Sequence, residues 1–256
     1  MLSVVSYGGG VNSTALLIGL LEMGEPPDLI LFADTGGEMP HTYEYVEMFS
    51  SWCQENLGLP IVTTKYDSRH ETLEQECLTN NTLPSLAFGF KGCSVKWKRQ
   101  PMDKHIRNWP PAIEAWSRGS QVSRLIGIDA GESHRGKIPD DKRFRYRFPL
   151  IEWGWAREEC VDAISRHGLK QPLKSACFFC PASKKPEIVA LARNYPTLFG
   201  RAVAMEDNAK RSGTLRSVKG LGRNWGWSDI VMADTAQLKM FQESIDSPCG
   251  CFDGDD

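Results

Sequence analysis

Short hydrophobic segments alternate with amphipathic ones through the first half of the chain. The β-prone runs lie at residues 2–7, 28–33, 59–64 and 123–128. Segments with helical spacing lie between the first three runs, at residues 12–23 and about 41–57. Strands that alternate with helices are typical of a parallel sheet with crossover helices. We therefore expect an α/β fold built on a Rossmann-like parallel sheet.

The rest of the chain has a different character. Residues 68–119 are rich in Lys, Trp and Pro, and we expect helices and loops that cover the sheet. Beyond Pro181 the spacing is helical again, followed by a Gly/Trp-rich loop and an acidic tail. We expect an α/β domain over 1–185 and a helical extension with a cysteine-containing C-terminal tail over 186–256.

Composition and charge narrow the class of protein. The chain has 256 residues, 41% hydrophobic and 24% charged, which is enough apolar material for a sizeable core. A net charge of -2 excludes a generally basic nucleic-acid coat but allows a local basic strip. No apolar run approaches the ~20 residues of a membrane span, and the N-terminus lacks the basic segment of a signal peptide. We expect a cytoplasmic protein with no membrane partner.

A glycine turn joins the first strand to the first helix. Gly8, Gly9 and Gly10 precede Ser13 and Thr14, so backbone N–H groups and a helix N-terminus meet at the carboxyl end of a strand. Such an arrangement binds phosphate, because donors and helix dipole point at the anion. Neither GxGxxG nor GxxxxGK[ST] is present. The alternative is an ordinary strand-to-helix turn.

Five segments carry a family resemblance. SYGGGVNSTALL resembles the pyrophosphate loop of the PP-loop ATP pyrophosphatase superfamily. ADTGGEMPHTYEYV, GIDAGESHRGK, FPLIEW and SACFFCP resemble, in the same order, motifs of its phosphoadenosine phosphosulfate (PAPS) reductase-like branch. Together they cover residues 1 to about 185. On this order of motifs the chain is identified as a member of that branch.

The resemblance implies a nucleotide-binding fold of the PP-loop type that takes ATP or an adenylyl sulfate with Mg²⁺. The positions implied to hold the nucleotide are Ser6, Gly8, Gly9, Gly10, Asn12, Ser13, Thr14, Asp34, Thr35, Gly36, Gly127 and Ser133. The positions implied to act in catalysis are Asn12, Glu132, Arg135 and Cys249.

The chain also departs from the family pattern. In the loop, Gly8 replaces Ser, Val11 replaces Lys and Asn12 replaces Asp, and further on Asp129 replaces Arg. An Asn carries no charge to help hold Mg²⁺, which leaves open a catalytically degenerate nucleotide-binding partner. Cations that could replace the missing charge are Arg124, Arg135, Lys137, Arg143, Arg145 and Arg147. The alternating run 143–147 is either a solvated edge strand or a cationic wall for phosphate, sulfate or nucleic acid.

Eight cysteines are many for a cytoplasmic protein. Cys53, Cys77 and Cys160 lie among helix-forming residues, where a buried free thiol is expected. Cys177 and Cys180 form a Cys-x-x-Cys before a proline, the spacing with which two thiolates reach one metal or cluster.

A second resemblance concerns the metal. The segment around Cys93 resembles that of sulfonucleotide reductases with a [4Fe-4S] cluster, which implies an iron-sulfur cluster held by Cys93, Cys177 and Cys180. Cys249, Cys251 or another cysteine could be the fourth ligand, with Cys249 the candidate chosen here, or one iron stays open. Structural zinc and unbound thiols are the alternatives. Cys249-Gly250 also resembles the tail that carries the nucleophile of adenylyl-sulfate and PAPS reductases.

Three functions follow from the resemblance. In the first, ATP adenylates an acceptor with release of pyrophosphate, and sulfur then displaces AMP. Its partners would be a nucleic-acid acceptor and a sulfur-donor protein. In the second, an oxidoreductase uses Cys249 to release sulfite from an adenylyl sulfate. In the third, the chain is the degenerate nucleotide-binding partner.

Overall fold

The computed structural model describes residues 1–234, and Cys249 and Cys251 lie outside the described residues. Five strands form one sheet in the order β3-β2-β1-β4-β5, and every pair is parallel. The strands are β1 (Ser3–Tyr7), β2 (Leu29–Asp34), β3 (Ile61–Lys65), β4 (Val122–Ile126) and β5 (Phe144–Arg147). The expected α/β class with a parallel sheet is confirmed.

Helices connect the strands and continue after the last of them. They are α1 (Val11–Glu22), α2 (Pro40–Leu57), α3 (Leu73–Thr79), α4 (Gly92–Ser94), α5 (Gln100–Asn108), α6 (Pro110–Ser117), α7 (Pro149–Glu152), α8 (Arg157–Arg166), α9 (Lys185–Asn194), α10 (Pro196–Arg211) and α11 (Trp227–Asp234). A π-helix (Val95–Arg99) joins α4 to α5, and 3₁₀ turns lie at Ser85–Phe88 and Ala130–Arg135. No helix within residues 1–234 combines the length and hydropathy that a membrane crossing requires.

Local sequence sets several helix ends. Proline at the first position of α2 supplies a helical φ where no intrahelical N–H bond is needed. Gly58 ends the same helix in the left-handed conformation at φ 73°, which glycine adopts without a Cβ penalty. The observed ends of β1, β2, β3, β4, α1 and α2 lie within two residues of the expected ones.

Each face of the sheet is covered by helices. Side chains alternate along a strand, so Val4 and Val5 of β1 belong to opposite core clusters. Val5 packs with residues of α1, α2 and α8, including Leu16 and Phe49. Val4 packs with residues of α5 and α6, including Met102. The sheet is therefore the middle layer, as a parallel sheet with crossover helices requires.

The C-terminal helices pack on a third cluster. Residues of α9, α10 and α11, among them Trp227, share it with Leu73, Trp97 and Phe179. Glu206 of α10 is fully buried and accepts the backbone N–H groups of Leu221 and Trp227, which fixes the Gly/Trp-rich loop. The helical pattern expected after residue 185 is present up to Asp234, and the division into two domains stays a prediction.

A smaller expectation, buried free thiols on helices, is also met. Cys53, Cys77 and Cys160 are buried free thiols on helices. Burial raises the pKa of Cys53 to about 12 and that of Cys160 to about 12. The arginine-rich run 143–147 contains β5, the strand at one edge of the sheet.

One close backbone approach ties the sheet to the first helix. A Cβ added to Gly127, just after β4, would lie 2.8 Å from the carbonyl carbon and oxygen of Asn12 and 2.9 Å from the nitrogen of Ser13. These neighbours are backbone atoms at the start of α1, so they cannot rotate away. Only glycine allows β4 and α1 to meet at this distance.

We therefore expect Gly127→Ala to lower the free energy of unfolding by about 1–3 kcal/mol, the usual cost of overpacking. Gly200→Ala is the control, because a Cβ at Gly200 in α10 meets no atom within 4 Å. That change should leave stability unchanged or raise it by about 0.5–1 kcal/mol. Urea denaturation measures the free energy of unfolding of both variants. If Gly127→Ala is as stable as the wild type, a side chain at residue 127 can be accommodated next to α1.

Candidate functional site

A cavity opens where the order of the sheet reverses. The chain leaves β1 toward β2 on one side, whereas β4 lies on the other, so the loops after β1 and β4 diverge. In open α/β sheets, ligands bind in such a crevice at the carboxyl ends of the strands. We call this cavity the switch-point cavity. Its walls come from Ser6 and Tyr7, the glycine turn, the start of α1, the end of β4 and the segment 172–175.

Seven of the residues implied by the family resemblance line the switch-point cavity. They are Ser6, Gly8, Gly10, Asn12, Ser13, Gly127 and Arg135. Gly9 is left-handed at φ 77° and backs onto Thr42 of α2, where its Cβ would lie 3.1 Å from a methyl group. Thr14 is buried with its hydroxyl 3.2 Å from that of Tyr7, so it supports the loop.

The charge of the cavity is positive. Lys98, Arg135, Arg157 and Lys174 line it, and no acidic side chain of residues 1–234 does. It encloses about 90 Å³, less than the roughly 300–1,000 Å³ of drug-sized ligand pockets. The cavity therefore suits a small anionic group such as the phosphates of a larger ligand.

These cations differ from most of those expected from the sequence. Arg135 is common to both sets, whereas Lys98, Arg157 and Lys174 come from other segments. Arg124 is buried on β4 and pairs with Asp103. Of the β5 run, Arg143 lies over the ring of Trp116, Arg147 pairs with Glu152, and Arg145 is outside the cavity wall. The run is not the cationic wall of this cavity.

Two departures from the family pattern contact each other. Asn12 Nδ2 donates to Asp129 Oδ2 over 2.9 Å, although the two residues are 117 positions apart. Both side chains are buried. Arg157 Nη1 also donates to Asn12 Oδ1, at 3.4 Å. The carboxylate thus lies directly behind the loop, one hydrogen bond away from the cavity wall.

The 3₁₀ turn that follows β4 carries two more of the implied catalytic residues, Glu132 and Arg135. Arg135 Nη1 lies 2.5 Å from Glu132 Oε2, and Asp129 caps the turn by accepting the Glu132 N–H. Arg135 lines the switch-point cavity, whereas Glu132 and Ser133 do not. Glu132 is therefore placed to orient Arg135.

The loop after β2 has two parts. Asp34 Oδ1 accepts the hydroxyl of Tyr43 on α2 at 2.7 Å and the N–H of Gly36 at 2.7 Å, and Oδ2 pairs with Lys65 Nζ at 3.3 Å. Thr35 instead belongs to a second cavity, and its hydroxyl is 3.1 Å from Cys177 Sγ.

This second cavity, the cysteine cavity, brings the three implied metal ligands together. Cys93, Cys177 and Cys180 all line it. Cys177 pairs with Glu38 as an antiparallel bridge, and Cys180 N–H donates to the Cys177 carbonyl over 3.0 Å. The bridge and turn hold both cysteines beside the loop after β2. Cys249 lies outside the described residues.

A single metal ion and a cluster place different demands on the three cysteines. Within residues 1–234, no three His, Cys, Asp or Glu side chains are placed to hold one metal ion. A single zinc requires its sulfurs at about 2.3 Å from one centre. In an iron-sulfur cluster each cysteine binds a different iron, so the three thiols need not meet at one point. Thiols are the usual ligands of such clusters, and three of them line this cavity.

A buried ion pair lies between the two cavities. Lys98, on the π-helix, lines both of them, and its Nζ is 3.0 Å from Glu38 Oε1. Burial acts to lower the pKa of Lys98, but Glu38 and Cys177 together raise it above its ordinary value. Burial and Glu38 raise the pKa of Cys177, and burial raises that of Cys180. The other carboxylate oxygen of Glu38 has no hydrogen-bond partner among residues 1–234.

Comparisons with known proteins give structural likenesses but no match to a family model or a curated protein. The U34-tRNA thiolase NcsA from Methanococcus maripaludis, solved with its [4Fe-4S] cluster, is similar over 95% of this chain and 83% of its own. The identity is 14% and the TM-score 0.43. Membership of the PAPS reductase-like branch stays a prediction.

Loss of the buried lysine should destabilise the fold. Lys98→Met leaves the Glu38 carboxylate buried without its cation, and breaking a buried pair this way costs about 3–5 kcal/mol. Lys104→Met is the matched control, because its pair with Asp67 is exposed on both sides, and we expect little change. Chemical denaturation compares the two variants, and equal losses would show that the Lys98 pair is not coupled to the core.

Proposed function

We propose that this protein is an ATP-dependent sulfur transferase, which activates an acceptor oxygen as an adenylate and replaces it with sulfur. The observation that carries the proposal is the adjacency of the two cavities. A cationic cavity suited to phosphates and a cavity lined by three cysteines share Lys98 as a common wall. Nucleotide and sulfur chemistry would therefore take place side by side.

In this proposal the switch-point cavity holds the phosphates of ATP. Gly8 and Gly10 bring backbone close to the anion, and Ser13 adds a hydroxyl at the start of α1. Lys98, Arg135 and Lys174 offset the negative charge. The adenosine would lie along the outer edge of the cavity, toward the loop with Asp34 and Gly36.

The reaction balances without an oxidant or reductant. The acceptor carbonyl oxygen attacks the α-phosphorus, pyrophosphate leaves, and an adjacent N–H of the acceptor gives up its proton. Hydrosulfide then adds to the activated carbon, and AMP leaves with the original oxygen. The products are a thiocarbonyl, AMP and pyrophosphate. A sulfur-donor protein or inorganic sulfide supplies the hydrosulfide.

The proposed cofactors are an iron-sulfur cluster at the cysteine cavity and Mg²⁺ at the switch-point cavity. Cys93, Cys177 and Cys180 would hold an iron-sulfur cluster, and a bound cluster would supply an open iron to which hydrosulfide can bind. For Mg²⁺, Asn12 contributes an amide and Asp129 a carboxylate behind it. Magnesium keeps several waters and is held largely by substrate phosphates, so few protein ligands are needed.

A degenerate nucleotide-binding partner is the second candidate, because Asn12 and Val11 replace charged residues of the family loop. The hydrogen bond from Asn12 to Asp129 keeps a carboxylate beside the loop position where the family has Asp, and this favours the transferase over a partner that has lost catalysis. A sulfonucleotide reductase would depend on Cys249, which lies outside the described residues. Pyrophosphate release from ATP separates the transferase from both alternatives.

Substitution of the phosphate loop tests nucleotide use. A Cβ at Gly10 would already lie 3.1 Å from Ser175 Oγ, and a valine side chain would fill the space over the loop. Gly10→Val should abolish ATP binding and pyrophosphate release, while thermal unfolding stays near that of the wild type because the φ of -109° suits any residue. Calorimetry with ATP measures this, and unchanged affinity would remove the loop from the site.

Cysteine substitutions test the metal. Cys93→Ser, Cys177→Ser and Cys180→Ser should each lose nearly all bound metal, because ligand thiolates must converge on one centre. Iron, zinc and acid-labile sulfide per chain are measured on anaerobically purified protein. If zinc is found without acid-labile sulfide, the bound metal is a structural zinc ion and not a cluster.

The matched controls are Cys53→Ala and Cys160→Ala, which lie in the core away from the cysteine cavity and should keep full metal. Cys249→Ser and Cys251→Ser decide the fourth ligand. Full metal in Cys177→Ser and Cys180→Ser would rule out the cluster and the transferase mechanism built on it.

A further inference from the structure

Asn12 lies between two side chains of opposite charge. Its Nδ2 donates to Asp129 Oδ2 over 2.9 Å, and its Oδ1 accepts from Arg157 Nη1 over 3.4 Å. Asn12 and Arg157 line the switch-point cavity, whereas Asp129 does not line it and is only 3% exposed. We call these three side chains the Asn12 network. It begins at a buried carboxylate and ends in a cation at the cavity wall.

The neighbours of Asn12 determine the orientation of its amide. A carboxylate oxygen only accepts hydrogen bonds, and a guanidinium only donates them. With the amide reversed, its oxygen would face the carboxylate and its N–H₂ group would face the guanidinium, so both contacts would be repulsive. Asp129 is held in turn, because its Oδ1 accepts the N–H of Glu132 at 3.1 Å. Asn12 therefore presents its oxygen to Arg157.

A neutral residue at position 12 is what this network requires. An aspartate there would bring a second carboxylate within hydrogen-bond distance of Asp129, and two carboxylates that share a site repel each other. With asparagine, the negative charge stays behind the loop. No acidic side chain of residues 1–234 lines the cavity, whereas Arg157 does. The amide therefore transmits the position of a carboxylate to an arginine without adding negative charge to the wall.

The backbone near Arg157 is joined to the turn that carries Asp129. Ala130 N–H donates over 2.7 Å to the carbonyl of Trp155, which lies two residues before Arg157. Beyond Arg157, residues of α8 share a core cluster with residues of α1, the helix that carries Asn12. The three members of the network are thus fixed by the fold as well as by their own hydrogen bonds.

We infer that Arg157 binds a phosphate of the nucleotide, and that Asn12 and Asp129 are positioning residues that hold its guanidinium at the cavity wall. The inference rests on the proposed function, because it takes ATP to be the ligand of the switch-point cavity. A guanidinium has five N–H donors in one rigid plane, so it can contact Asn12 and a phosphate oxygen at the same time. A side chain that is held before the ligand arrives loses less conformational freedom on binding.

Calorimetry of ATP binding to the full chain with Mg²⁺ tests the role of Arg157. Arg157→Gln should weaken ATP binding about 10- to 100-fold, the effect of losing hydrogen bonds between charged groups. Arg157→Lys keeps the charge but not the planar fork, so it should recover only part of the affinity. Arg166→Gln is the matched control, because Arg166 lies on the same helix, pairs with Glu22 over 3.0 Å and does not line the cavity.

A double-mutant cycle tests the positioning role of Asp129. Asp129→Asn removes the carboxylate that orients the Asn12 amide, so ATP affinity should fall about 3- to 10-fold when Arg157 is present. In the Arg157→Gln background the same change should have no further effect, because it acts through Arg157. A purely structural role would lower ATP affinity equally in both backgrounds, and that result would overturn the positioning by Asp129.

A second cycle avoids the cap that Asp129 forms on its own turn. Asn12→Ala removes the contact with Arg157 itself and leaves the Asp129–Glu132 hydrogen bond in place. This change should also reduce ATP affinity less in the Arg157→Gln background than in the wild type. Equal reductions in the two backgrounds would contradict the network. Thermal unfolding of each variant verifies that it is folded.

Failure of the inference and failure of the proposed function give different results. If Arg157→Gln binds ATP as tightly as the wild type, and the wild type releases pyrophosphate from ATP, the transferase stands and the inference fails. If ATP binding depends on Arg157 but no pyrophosphate is released, the phosphate-binding role stands and the transferase does not. If the wild type does not bind ATP, both fail.

Discussion

The arrangement of the candidate site depends on one close contact, the approach of the backbone after β4 to the first turn of α1. Gly127 has room for no side chain there. Because β1 and β4 are parallel neighbours, their carboxyl ends meet at one edge, and the glycine turn and the 129–135 turn face each other across the crevice. The Asn12–Asp129 hydrogen bond joins the same two loops. The cationic cavity is thus a consequence of sheet order combined with one glycine.

A second element, the π-helix over Val95–Arg99, connects this crevice to the cysteines. π-Helices occur as short bulges in α-helices, often at functional sites, because the wider turn re-aims the side chains that follow. Here Lys98 lies on the π-helix and its ammonium group is buried against Glu38. Glu38 is in turn the bridge partner of Cys177. Lys98 therefore links the switch-point cavity and the cysteine cavity through its charge pair with Glu38.

The sequence was sufficient to predict β1 to β4, α1 and α2, but not all the residues that line the candidate site. Strand–helix alternation predicts the parallel sheet, because both periodicities are local. The glycine turn and the Cys-x-x-Cys are local too, and Cys93 joins Cys177 and Cys180 at one cavity as the resemblance implies. Lys98, Arg157 and Lys174 could not be predicted, since each reaches the cavity through tertiary packing from a segment distant in sequence. Asn12 and Asp129 could have been linked from the sequence, because both depart from the family pattern and an amide donor suits a carboxylate acceptor.

The segment 173–180 joins the two cavities of the candidate site, because it contributes to the walls of both. Its position is set by backbone hydrogen bonds to the loop after β2, from Met39 N–H to the Ala176 carbonyl and from Phe178 N–H to the Gly37 carbonyl. Gly37 lacks the Cβ that would collide with the ring of Phe179 at 2.5 Å. A shift of this segment would change the walls of the switch-point cavity and the positions of Cys177 and Cys180 together. A ligand that moves the segment in one cavity should therefore change the affinity of the other cavity, and the effect must be reciprocal.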